Sequence, residues 1–294
     1  MSYLENLENE FNNIDNVANK VFNVNKVQLK ATESNLDLPN AYGIYKETGG
    51  RCLGVVGKDF VPTQPKIILD MLTESLYQNN IGDVTKLTFK ELKGGSKILF
   101  SMPLKQISFK NIRGLDDVSD LVLNFQTGFD GTTKNTMFLS MYRLVCTNGM
   151  KVMSTEFSTS FKNTSNNQGK LISLTPDILR TVGEVDNLKD ILKRMNQVQV
   201  NQAQVDDYLT RVTGYTKEKE LSTKAKNILD NLIESIEREF KDSGSNVWGL
   251  LNGVTRYTNH VQQNRSNDKL SHLFVDGGAK LNAKAEKEAI LMLN

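Results

Sequence analysis

Apolar residues change their period along this chain. From Ala41 to Leu174 they mostly alternate with polar ones, or gather in short runs bounded by Gly, Pro, Asn and Asp, as strands do. From Asp177 onward they recur three and four apart, as on one face of a helix. The order this predicts is helix, β-hairpin, helix, several antiparallel strands, then helices. That is an α+β fold: a curved antiparallel β-sheet covered by helices, with a helical C-terminal half. Three segments follow from it: an N-terminal helix within 1–25, a β-rich domain over 40–174 and a helical region over 175–294.

Leu4, Leu7, Phe11, Ile14, Val17 and Val21 make the stripe of the first helix. A hairpin joins Ala41–Lys46 to Arg51–Val56 through Gly49 and Gly50, which accept the positive φ of a tight reversal. Thr63 reads as the N-cap of a helix opened by Pro65 that buries Ile68, Leu72 and Leu76. Strands follow over 86–92, over 97–102 as far as Pro103, and over 105–110. Leu121–Phe125 and Thr136–Val145 form a central hairpin that runs into Asn148–Gly149, a turn signal. Residues 155–161 and 170–174 read as two short strands. Helices over 178–211 and 217–241, split at Gly214, carry stripes that suit an antiparallel pair.

Composition narrows the function classes. The chain has 294 residues, 38% apolar and 24% charged, enough to bury a real core. Its net charge of +2 excludes a protein-wide basic field, so any nucleic-acid signal must be local. One such signal exists. Lys86, Lys90, Lys93, Lys97, Lys105, Lys110 and Arg113 are opposed between positions 84 and 113 by Glu91 alone. Phe89, Phe100 and Phe109 stand among them. Cations spaced along strands suit phosphates, and rings between them suit stacked bases, so this track fits single-stranded DNA. Alternation argues otherwise for the rings: Phe89 and Lys90 should face opposite sides, which leaves the rings to the core.

No run of about 18 apolar residues predicts a membrane span. Residues 1–25 lack the basic and apolar regions of a signal peptide, so a cytoplasmic protein is expected. Cys52 and Cys146 lie in apolar strand candidates and read as buried free thiols. Gly94-Gly95-Ser96-Lys97 lacks the spacing of a phosphate loop, and no paired His and Cys suit zinc. Asp116-Asp117-Val118-Ser119-Asp120 has the oxygens to hold a cation, but an acidic surface turn is the commoner case. No catalytic set, metal or cofactor is expected.

Two blocks carry a resemblance. Arg143-Leu144-Val145-Cys146-Thr147-Asn148 resembles the R-V-V-C-x-N signature of a phage- and plasmid-borne family known as a domain of unknown function. The stretch from Asn246 to His260, with Trp248 and Asn252, resembles that family's N-x-W-x-x-x-N-A-x-T-x-Y-x-x-H helix. Gly54, Phe60 and Gln64 fit its strand-to-helix junction, and Gly128–Gly131 its H-D-G turn with Phe129 in the histidine's place. Ser271 and Gly277-Gly278 resemble its closing turn. The signature positions Arg143, Cys146, Asn148, Trp248, Asn252 and His260 read as structural, through packing and internal hydrogen bonds. Arg143 either projects outward, the commoner fate of a strand cation, or meets a buried partner, with Glu156 and Asp130 the candidates.

The resemblance implies a phage, prophage or plasmid protein working in a bacterial cytoplasm. Together with the lysine track it leads to a non-enzymatic nucleic-acid-binding protein, a homo-oligomer that binds or anneals single strands. The alternative is a protein–protein assembly module, or an inhibitor of host defence, that binds no nucleic acid.

Overall fold

The computed structural model describes residues 14–143, 148–151, 157–215, 221–262 and 269–293. The fold is α+β, with two antiparallel sheets where the sequence predicts one, and helices in the C-terminal half. Strands β1 (Val24–Lys30), β2 (Asp37–Lys46) and β3 (Gly54–Val56) form the smaller sheet. The larger runs β4 (Thr88–Leu92), β5 (Lys97–Lys110), β6 (Asp116–Gly128), β7 (Asn135–Arg143) and β8 (Asn148–Lys151), with β9 (Ser158–Phe161) also paired to β7. The chain divides into two compact units. The first holds residues up to Lys105 with Val122–Phe138 and Ser158–Val182; the second holds Gln106–Leu121, Leu139–Phe157 and Gly183–Asn294.

In the first unit, helix α1 (Ile14–Lys20) leads into the three-stranded sheet; Leu4, Leu7 and Phe11 lie outside the described residues. Gly49 and Gly50 turn the chain with φ of 86° and 105°. At Gly54 a Cβ would stand 2.4 Å from the Phe129 carbonyl oxygen, so only glycine lets β3 pass that backbone. Helix α2 (Pro65–Gln78) buries Ile68, Leu72 and Leu76, as its period predicts. Its N-cap residue is Gln64, not Thr63, whose hydroxyl bonds to Asn163. The Phe22 ring lies 6.0 Å from Phe89 and 6.1 Å from Phe129, and Phe89 5.1 Å from Phe100. Strand β5 runs through Pro103 instead of stopping there. β4 pairs only with residues from Lys97 to Ser101, so the proline falls where β5 is an edge, and its missing N–H is tolerated. Cys52 is exposed, not buried. The strand expected over 170–174 is helical, divided between α3 (Asn167–Ile172) and α4 (Leu174–Gly183).

In the second unit, the single helix expected over 178–211 is broken after α4. Helix α5 (Val185–Gln197) ends at Val198, and α6 (Gln202–Thr213) restarts from an Asn201–Gln204 capping box. Gly214, at φ 76°, closes α6 where the sequence places the split. Helix α7 (Thr223–Ser243) takes α8 (Val247–Arg256) as its main partner, and α6 takes α10 (Gly277–Leu291), in place of the expected α6–α7 pair. The reason lies in α8. A Cβ at Gly249 would come within 2.7 Å of Phe240, and one at Gly253 within 2.6 Å of the Ile236 Cα, so glycine lets the two backbones approach. α8 continues into a π-turn over Tyr257–Val261, and α9 (Lys269–Phe274) follows. Asn148 and Gly149 are not a turn. They are strand residues opposite Arg143 and Tyr142; Cys146 lies outside the described residues.

Candidate nucleic-acid interface

The lysine track falls in both units, and each part stands by itself. In the first unit, Lys86 ends a short 3₁₀ turn capped by Asp83, whose side chain accepts from the Thr85 amide at 3.0 Å and hydroxyl at 2.6 Å. Those bonds, with the Lys86 charge adding to them, hold the Asp83 carboxyl below its usual range. Lys93 opens the β4–β5 turn at φ 49°, and Arg51 steadies that turn with Nη2 bonds to the Lys93 and Gly94 carbonyls at 3.0 and 2.6 Å. Lys86, Lys93 and Lys105 are exposed and Lys90 is half-buried.

Lys97 is a correction. It is 9% exposed and its Nζ lies 3.1 Å from Asp130, so it belongs to the interior and not to a phosphate-facing surface. Glu91, the track's one acidic residue, accepts Lys46 Nζ on both oxygens at 2.7 and 2.8 Å. In the second unit, Lys110 pairs with Asp116 at 2.9 Å, and Arg113 is exposed in the β5–β6 turn. Phe89, Phe100 and Phe109 are all buried, which removes them as stacking platforms.

The signature residues build a different centre, wholly in the second unit. Arg143 does not project outward. Its Nε and Nη2 grip Asp117, its Nη1 reaches Glu239 at 2.7 Å and its Nη2 reaches Ser243 at 2.9 Å. Of the two expected partners, Asp130 is taken by Lys97, and Glu156 lies outside the described residues. Trp248, fully buried, donates from Nε1 to Asp117 at 3.0 Å and packs its ring 5.8 Å from Phe109. Asn252 is buried and donates to the Trp248 carbonyl one turn back. His260, on the π-turn, is exposed, so the packing expected of it is not found. Asp117 and Asp120, expected on a surface turn, are buried strand residues.

A second hub organises the first unit. Buried Asn163 accepts through Oδ1 from the Thr63 amide and hydroxyl and from Asn135, at 3.3, 2.9 and 3.0 Å. Its Nδ2 donates to the Thr133 carbonyl at 3.1 Å and, more weakly, to that of Gly128 at 3.5 Å. Nearby, the Gln64 amide copies a strand partner, bonding both the N–H and the C=O of Val24 at 2.9 Å. Beside it opens a cleft of about 590 Å³ on whose wall Lys26 stands. Lys26 donates to the carbonyls of Lys58 and Phe60 at 2.6 and 2.7 Å; burial lowers its pKa, against the pull of Asp59.

Sequence reasoning missed Asp117, Glu239 and Asn163. Asn163 carried no signal, sitting in a Ser/Thr/Asn-rich stretch that reads as loop. Among the described residues no three His, Cys, Asp or Glu side chains gather as a metal site, and no helix is long and apolar enough to cross a membrane.

The chain belongs to the family described as a domain of unknown function, DUF932, whose profile matches residues 52–282. That span includes both hubs. No curated protein and no solved structure matches the chain.

Proposed function

We propose that this is a non-enzymatic protein that binds single-stranded nucleic acid through the first unit, working as a homo-oligomer in a bacterial cytoplasm. The observation that carries the reading is the charge of the segment from Lys86 to Lys105. It contains five lysines and one glutamate. With Lys97 withdrawn into its pair with Asp130, exposed Lys86, Lys93 and Lys105 lead the surface. With the rings of the track buried, its affinity comes from phosphate contacts and is steeply salt-dependent. Likeness of the two sequence blocks to phage- and plasmid-borne proteins supports a mobile-element origin.

The test is fluorescence anisotropy of labelled oligo(dT) across a salt series. Charge reversal at Lys86, Lys93 and Lys105 together should flatten the slope of log K against log salt by about 2, at roughly 0.7 for each phosphate left without its lysine. Binding by the triple variant that matches the parent chain at every salt concentration sinks the reading.

One observation favours an assembly module as the second reading. Val27 and Val55 flank Gly43 in one cross-strand row of the small sheet and are 48% and 58% exposed. Sedimentation with and without oligo(dT) separates the two, since an assembly module forms the same oligomer in both.

A further inference from the structure

Strands β7 and β9 pair from Phe138–Ser158 to Asn135–Phe161. Lys134 and Lys162 are the residues next beyond the ladder's last pair, Asn135–Phe161. Both side chains are exposed, and among the described residues neither forms an ion pair. They line a cleft of about 410 Å³ in the first unit, together with the hydroxyl residues Thr132, Thr133 and Thr164. The cleft's one carboxylate, Asp59, pulls on Lys26.

The cleft is built, not incidental. Asn163, which also lines it, ties the Thr133 carbonyl to Thr63 and Asn135 beneath. Asp130 accepts from the Thr132 and Thr133 amides at 3.0 and 3.2 Å and so fixes the loop above. Phe60, half-buried, forms part of the same wall. Two cations outside any ion pair, three hydroxyl residues and a ring lining one cleft are the complement of a phosphate carrying a flat base. The volume suits a unit of that size.

We propose that this cleft binds one nucleotide of a single strand, its phosphate between Lys134 and Lys162 and its base against Phe60. The proposal rests on the nucleic-acid reading above and adds to it a defined subsite outside the Lys86–Lys105 segment.

The test titrates the full chain with the dinucleotide pTpT by calorimetry and with labelled oligo(dT) by anisotropy. The double variant Lys134→Glu/Lys162→Glu keeps a like-charge pair, so its melting temperature should match the parent's while the ligand meets the opposite sign. It should bind both ligands at least about tenfold more weakly and flatten the oligo(dT) salt slope by about 1.4. Phe60→Leu should weaken binding about tenfold and leave the slope unchanged. Oligo(dT) binding that neither variant alters overturns the cleft and leaves the broader reading standing. Binding of pTpT that the variants abolish, with no oligo(dT) binding by the parent, sustains the nucleotide site and removes the polynucleotide reading. Binding of neither ligand overturns both.

Discussion

Arg143 and Asp117, 26 residues apart in sequence, share three hydrogen bonds: Nε to both carboxylate oxygens at 2.7 and 2.9 Å, and Nη2 to Oδ2 at 2.6 Å. Both side chains are almost wholly buried, at 2% and 0% exposure. This is the fork that guanidinium makes with carboxylate and that an ammonium cannot copy. Because Glu239, Ser243 and Trp248 complete the shell, one side chain from β7 ties β6 to α7 and α8. The two sequence blocks around Arg143 and Trp248 therefore meet in one buried cluster.

Arg143→Met should destabilise the second unit by about 3–5 kcal/mol, the usual result of leaving buried charge unpaired. Arg256, 3.8 Å from Glu239, compensates only in part. The triple variant Arg143→Met/Asp117→Asn/Glu239→Gln should recover most of the loss, since the two buried acids are neutral and only the partly exposed Arg256 keeps a charge. Urea midpoints followed by Trp248, the chain's one tryptophan, report on this site directly. A triple variant as weak as the single one would show that packing, not charge, sets the cost.

Asp130 makes stability sensitive to acid. Burial alone would raise its carboxyl, but bonds from the Thr132 amide and from Lys97, with the Lys97 charge, outweigh burial and hold it below the ordinary range. A depressed folded pKa contributes stability that is present above the unfolded value, near 3.9, and is lost as pH falls through the folded one. Asp130→Asn keeps an acceptor for the Thr132 and Thr133 amides and loses the charge. It should melt lower than the parent at pH 7, and the gap should close as the pH drops below about 4.

The fold's local signals and the Arg143 cluster differ in how far the sequence reveals them. The Gly49–Gly50 reversal, the Pro65–Gln78 helix and the stop at Gly214 were legible because each signal is local: a φ only glycine favours, a stripe, a cap. The Arg143 cluster was not. Its acids lie 26 and 96 residues away, and Asp117 sits in a run whose composition is that of a surface turn. Leu171 and Leu174 are too few to separate a period of 2 from one of 3.6, so a helical segment reads as strand. The start of α6 was announced by Asn201 and Gln204, but Val198, Val200 and Val205 carry the apolar pattern across the break and mask it.

Asn163 offers a test by isosteric exchange. Asn163→Ala leaves the Thr63 amide, the Asn135 side chain and the Thr133 carbonyl short of partners, and should cost about 3 kcal/mol or more at roughly 1–3 for each buried group. Asn163→Asp keeps the shape but turns the Nδ2 that faces the Thr133 carbonyl into an acceptor, and buries a charge. It should be at least as damaging as alanine at pH 7. Hydrogen exchange across Gly128–Asn135 checks this; an aspartate variant protected like the parent would refute the assigned direction of those bonds.

Asp120 should behave in the opposite sense to Asp130. It is 2% exposed, accepts Gln106 Nε2 on Oδ1 at 2.8 Å, and among the described residues its Oδ2 has no hydrogen-bond partner. Burial raises its pKa and the Gln106 bond offsets that only in part. Between the ordinary and the raised value the folded chain holds a proton that the unfolded chain has lost. Stability therefore falls as pH rises through that window, and the penalty is complete above it. Asp120→Asn removes the charge and keeps the Gln106 bond, so it should stabilise the second unit by on the order of 1 kcal/mol at pH 7. Below about pH 4 the aspartate is neutral in both states and the advantage should vanish. Urea midpoints at pH 7 and pH 3.5 decide it, because a gain that persists at the lower pH cannot come from the carboxylate's charge.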